Sequence, residues 1–186
     1  MKIKSGFILA MCFTSMMANA QKNNVPAPET LNDIRHYNKS ANTNQALEKN
    51  KAKMVTKAKA MGLGGASTNY VIDGDKSPVR IPLRDSISFI VSMAEGTGEP
   101  SAWFGLFRAD VKKGKRSGNY INSKVLVVKS KSGDGIIPFT VKSLGNHVYE
   151  IIPSEKLEAG EYFFVNKGTA ATYGGQAVDA FAFGID

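Results

Sequence analysis

The sequence predicts a mainly β protein, an immunoglobulin-like antiparallel β-sandwich preceded by a short α-helical leader. Three observations carry this. From Asn69 onward, apolar residues fall in short runs with a period of two. Turn sequences separate the runs: Asp73-Gly74, Glu95-Gly96-Thr97-Gly98, Lys113-Gly114, Ser132-Gly133-Asp134-Gly135, Gly145-Asn146, Ala159-Gly160 and Gly174-Gly175. No helical period lies between them, and parallel strands would need such crossovers.

The first element is an address. Lys2 and Lys4 precede an apolar run from Phe7 to Met17, and Ala18-Asn19-Ala20 offers small residues for cleavage after Ala20. That is the form of a secretory signal peptide. The run is too short to span a bilayer core of about 30 Å, so no transmembrane segment is expected. Cys12, the only cysteine, lies inside this run and reads as part of it rather than as a lipid-attachment site. The mature chain then has no thiolate and no disulfide. This pattern favours a bacterial periplasm or the extracellular side. Asn38-Lys39-Ser40 matches a glycosylation sequon, which such a setting makes a chance match. Loss of Lys2 and Lys4 lowers the net charge from +8 to +6. The lysines are dispersed with few aromatic neighbours, which argues against nucleic acid and for ordinary solubility charge.

Residues 21–65 form the second unit, a lysine-rich leader. Val25-Pro26-Ala27-Pro28 is an extended lead-in, Thr30 caps a predicted helix over Leu31–Tyr37, and a second helix is predicted from Asn44 to Met61. Leu47, Met54, Val55, Ala58 and Met61 fall on one side of it, and Gly62, Gly64 and Gly65 stop it. The stripe lacks Trp and Phe, so it suits packing or a spacer better than a membrane surface.

Residues 66–186 form the sandwich. Strands are predicted at Tyr70–Asp73, Val79–Leu83, Ile87–Met93, Trp103–Ala109, Tyr120–Lys129, Ile136–Val141, His147–Ile152, Tyr162–Val165 and Ala177–Ile185. Leu157-Glu158-Ala159-Gly160-Glu161-Tyr162 has the form of a tyrosine corner, in which a buried Tyr hydroxyl bonds back to the corner's backbone. Tyr162 and Gly160 are therefore read as structural residues.

A series of motifs runs through this half in a definite order. Gly74-Asp75-Lys76-Ser77-Pro78-Val79-Arg80-Ile81 opens it and an apolar strand through Phe89 follows. A Pro100-Ser101 turn then leads to a strand ending in Lys112-Lys113-Gly114-Lys115-Arg116. Leu157 to Phe164 and Phe181-Ala182-Phe183-Gly184-Ile185-Asp186 close it. In this order the motifs resemble those of a family of uncharacterised secreted bacterial β-sandwich proteins, a resemblance that covers about residues 70–186. It implies an exported β-sandwich and brings no activity, ligand or catalytic residue.

No catalytic apparatus is legible. His36 is expected in solvent, and His147 at the start of a surface strand. No G-x-S-x-G elbow accompanies them. Glu150, Glu155, Glu158 and Glu161 are the densest acids, placed where acids normally face water. Asp73-Gly74-Asp75 lacks the distal ligands of a calcium loop, and Gly74-Asp75-Lys76-Ser77 lacks the spacing of a P-loop. No metal or cofactor is called for. Two features suggest binding. Lys112, Lys113, Lys115 and Arg116 would form an anion-binding rim, with Lys129, Lys131 and Lys142 nearby. Trp103 would be either a core residue, the favoured reading, or a platform for a sugar. The leading expectation is an exported, non-catalytic binding or structural domain of the bacterial envelope, with an envelope protein or glycan as partner. The alternatives are a module that holds an anionic surface polymer or membrane surface through basic loops, and a hydrolase on a sandwich scaffold.

Overall fold

The computed structural model describes residues 25–58, 66–84, 86–124, 127–132 and 135–186. The predicted signal peptide lies outside them. Within them no helix is long and apolar enough to cross a membrane. In chain order the strands are β1 (Arg35–Asn38), β2 (Thr43–Ala46), β3 (Glu48–Ala58), β4 (Ala66–Asp73), β5 (Arg80–Ile81), β6 (Ser88–Ser92), β7 (Phe104–Arg108) and β8 (Asp110–Lys112). Then come β9 (Lys115–Lys124), β10 (Val127–Ser132), β11 (Ile136–Ile137), β12 (Phe139–Gly145), β13 (Val148–Pro153), β14 (Gly160–Asn166) and β15 (Ala177–Ile185). One helical turn, α1 (Pro100–Trp103), precedes β7.

The strands make two sheets. The smaller has the order β12-β13-β6-β1-β2, and the larger runs β10-β9-β4-β3-β15-β14-β7-β11, with β5 beside β15 and β8 beside β9. Pairings are antiparallel except that of β5 with β15.

β14 and β15 are largely buried on both faces, which is why residues 162–165 and 180–183 read as continuous apolar stretches. Tyr162, Phe164, Phe181, Phe183 and Ile185 face the smaller sheet and pack with Ile34, Phe89, Val91 and Ile151. The opposite face presents Phe163, Val165, Val178, Ala180 and Ala182, which pack with Ala52, Tyr70, Ile72 and Phe107 of the same large sheet. That sheet therefore curls over itself into a half-barrel. Each fully buried Phe contributes about 1.5–3 kcal/mol. Gly118 marks the tightest point, since a Cβ there would lie 2.8 Å from Phe163 and 2.9 Å from Phe107.

The helical expectation for Leu31–Tyr37 and Asn44–Met61 is corrected. Arg35–Asn38, Thr43–Ala46 and Glu48–Ala58 are strands, and residues 59–61 lie outside the described ones. Asn32 has a φ of 61°, and its amide donates to Ser92 O at 2.7 Å, so the chain turns off a helical path at once. β3 also carries a period of two that the helical reading overlooks. Glu48, Asn50, Ala52 and Met54 share one face, and Lys49, Lys51 and Lys53 the other. Lysine favours a helix, but β3 is bonded on both sides, to β15 and β4. An isolated helix with a narrow apolar stripe offers no comparable gain, so tertiary pairing overrides propensity.

Candidate functional site

Four of the motifs quoted for the resemblance, those that contain Arg80, Arg116, Glu161 and Asp186, meet at one end of the half-barrel. Arg116 is 1% exposed. Its guanidinium donates to Glu48 at 2.8 and 3.1 Å and to Gly74 O at 3.2 Å. Glu161, also buried, lies 3.9 Å from Arg116 and accepts from the Ser77 amide at 2.9 Å. Arg80 donates to Glu161 and, at 2.9 Å through Nε, to Asp186. Gly184 lets the Arg80 guanidinium lie directly over the backbone, because a Cβ there would sit 1.6 Å from Nη1. Burial alone would raise the Glu48 carboxyl, but hydrogen bonds from Arg116, Asn50 and Ser77 hold it below its ordinary value. These charges are paired with one another.

Of the four residues predicted for an anion-binding rim, Arg116 is thus buried in this cluster and turned away from the other three. Lys113 and Gly114, with φ of 53° and 70°, make the tight turn joining β8 to β9. Lys112, Lys113 and Lys115 are exposed there. Arg116 follows Lys115 on the strand, so alternation turns it inward. Lys129 and Lys131 lie on β10, and Lys142 is exposed on β12.

The four predicted acids do not form one group, although Glu155 and Glu158 border a common cavity of about 280 Å³. Glu155 and Glu158 are exposed, and Arg108 donates to Glu158 at 2.8 Å. Contrary to expectation, Glu150 is buried, 2.6 Å from Lys39 Nζ, and Glu161 belongs to the charge cluster. Among the described residues no three His, Cys, Asp or Glu side chains form a metal-binding group. His147 is exposed in a turn. His36 is half-buried rather than solvated, edge-on to Phe89, and burial followed by the charge of Arg84 lowers its pKa. Tyr162 is buried, and its hydroxyl donates to Glu158 O at 2.8 Å, across the turn containing Gly160.

The open site lies at the opposite end of β14 and β15. A cavity of about 300 Å³ is bounded by Leu31, Asn32, Asp33, Lys49, Asn166 and Asp179. A second hollow of about 140 Å³ shares Asn32, Asn166 and Thr169 with it and ends at Trp103. Trp103 is 38% exposed, a correction to the core reading. It closes α1, so Phe104 takes the inward position and Trp103 the outward one. The indole is fixed nonetheless. Nε1 donates to Thr97 O at 2.6 Å, and the ring lies so close to Gly168 that a Cβ there would be 2.5 Å from Cε3.

The floor is held as firmly. Asn166 Oδ1 accepts from the Gly168 amide at 3.0 Å, an Asx-type turn. Thr169 Oγ1 donates to Asn166 O and accepts from the Asp179 amide, both at 2.8 Å. Tyr173 donates to Asp179 at 2.8 Å, and Lys51 Nζ lies 3.6 Å over the Tyr173 ring. A half-exposed indole beside a mainly apolar hollow that carries a few amide and carboxylate groups can stack on an apolar sugar face while those groups meet its hydroxyls. Of these residues the sequence marks only Trp103. Asn166-Lys167-Gly168 is a turn signal, but nothing in it indicates that Asn32 and Asp179 lie beside it. No family model, curated protein or solved structure matches the chain.

Proposed function

We propose that the chain is an exported, non-catalytic binding protein of the bacterial envelope, whose Trp103 groove holds a saccharide. The observation that carries this is Trp103, fixed by Thr97 and Gly168 yet exposed at the mouth of a hollow that Asn32, Asn166 and Thr169 also line. An indole with no ligand gains by turning inward, so clamping it outward suits a recognition surface. The signal-peptide form of residues 1–20 supports export. The Tyr162 bond supports an immunoglobulin-like origin for the sandwich, and with it the family resemblance. The exposed Lys112, Lys113 and Lys115 favour a second reading, attachment to an anionic surface polymer through the β8–β9 turn.

Trp103 is the sole tryptophan, so its fluorescence reports directly on the groove. Titration with soluble oligosaccharides, neutral and uronate-containing, should change its emission saturably with at least one of them. Calorimetry with Trp103→Ala should show that binding lost while the melting temperature stays close to wild type. Unchanged emission with every sugar, or full binding by Trp103→Ala, would refute the reading.

A further inference from the structure

β3 carries a feature that the saccharide reading does not use. Lys49, Lys51 and Lys53 occupy alternate positions, so they project from one face about 6.6–6.8 Å apart. Their side chains are 58, 59 and 65% exposed. Lys57 continues the same alternation and is exposed. The row starts at the rim of the sandwich. Lys49 is paired with Phe181, which is in the core, whereas Lys51 and Lys53 pair with Asp179 and Ala177 farther along β15. Lys49 lines the groove, as does Asp179, which lies 3.7 Å from Lys51 Nζ. The groove and the lysine row are therefore one continuous surface.

Charge along this surface is unbalanced. Lys49 meets Asp33 at 3.2 Å, while Lys53 and Lys115 meet the same Asp73 at 3.2 and 3.8 Å. The four β3 lysines and Lys115 thus face three aspartates, Asp33, Asp179 and Asp73. Asp73 is exposed in both of its pairs, and such pairs contribute little, so a ligand carboxylate can take its place beside Lys53 at small cost, whereas buried Asp33 keeps Lys49.

Resting on the saccharide reading above, we infer that the ligand is an acidic polysaccharide, stacked on Trp103 and extended along Lys49, Lys51, Lys53 and Lys57. A linear polymer suits a one-strand row that begins in a sugar-sized hollow. A lipid surface would call for large apolar residues among the lysines, and Val55 is the only apolar residue in the row. Single-stranded nucleic acid would call for several stacking rings, and Tyr173 is already covered by Lys51.

The test compares wild type with Lys51→Gln/Lys53→Gln/Lys57→Gln, using polygalacturonate and its fully methyl-esterified, uncharged form as probes. Wild type should prefer the acidic polymer, and rising sodium chloride should remove that preference as screening shortens. The triple variant should bind polygalacturonate about tenfold more weakly, since three exposed charge contacts are lost, and the esterified polymer as wild type does. Equal affinity of wild type for both polymers, or an unaffected triple variant, would overturn the acidic assignment while the saccharide reading stands. Binding of neither polymer, with Trp103 emission silent, would overturn both. Retention on phosphatidylglycerol vesicles but not on polygalacturonate would overturn the assignment in favour of a membrane surface.

Discussion

β14 and β15 carry a polar region at each end, and the two are organised in opposite ways. Beside Glu161 and Gly184, the charges of Glu48, Arg80 and Arg116 face inward and one another. Beside Asn166 and Asp179, the strands end in 3-10 turns, and Trp103, Asn32 and Lys49 line a hollow open to solvent. A buried charge is tolerated only when it is paired, so the first region is committed to the fold. In the second, backbone and side-chain bonds fix the frame while the groups on the rim stay accessible. Richness in charge alone therefore does not mark a binding surface. The informative property is a fixed but uncovered surface.

The largest test of this contrast is Arg116→Met. It leaves Glu48 and Glu161 buried without their cation and should destabilise the chain by about 3–5 kcal/mol in urea unfolding. Adding Glu48→Gln and Glu161→Gln to the same chain should recover part of that loss, because the stranded charge is then gone. A stability close to wild type for Arg116→Met would mean that the two ends do not differ as described. Gly118→Ala comes next. Its methyl meets Phe107 and Phe163 in the floor between the two ends, and overpacking there should cost about 1–3 kcal/mol. If thermal unfolding shows no loss, the half-barrel is looser than its packing indicates.

Much of the strand pattern is legible in the sequence, because a period of two in runs such as Ile87–Met93 admits few other interpretations. The sequence is silent where partners come from far away. β3 reads as a helix because Lys and Ala favour one locally, and it becomes a strand through pairing with β4 and with β15, the latter more than 120 residues later. Arg116 reads as surface charge because Glu48 and Glu161 lie 68 and 45 positions away. Trp103 is visible as a residue but not as a platform. Its exposure depends on Gly168 and Thr97, and neither carries a local mark of that role.

Tyr162→Phe is a smaller test, at the closed end. Removing the hydroxyl takes away one neutral hydrogen bond to Glu158 O and should cost about 1 kcal/mol. The loss should appear as a lower urea midpoint at unchanged slope, with Trp103 fluorescence unaffected at the far end. A neutral outcome would show that the corner is held by the stack of Tyr162 on Phe183 alone.

Acid titration gives the smallest effect and separates the sources of charge stabilisation. Burial opposes ionisation of Glu48, yet its bonds from Arg116, Asn50 and Ser77 bring the carboxyl below its ordinary value of 4.5. The folded state then holds this proton more weakly than the unfolded chain does. Its contribution to stability is complete above that value and disappears as pH falls through the lower, folded one. Asp186 behaves with the same sign, because its bonds from Arg80 depress it despite desolvation. The urea midpoint of wild type should therefore fall as pH drops below about 4.5. Glu48→Gln should flatten that fall only in part, since Asp186 still titrates. Arg116→Met should flatten it too, by removing the bond that lowers Glu48. If Arg116→Met keeps the full slope while Glu48→Gln loses it, the depression of Glu48 comes from Asn50 and Ser77 rather than from the buried guanidinium.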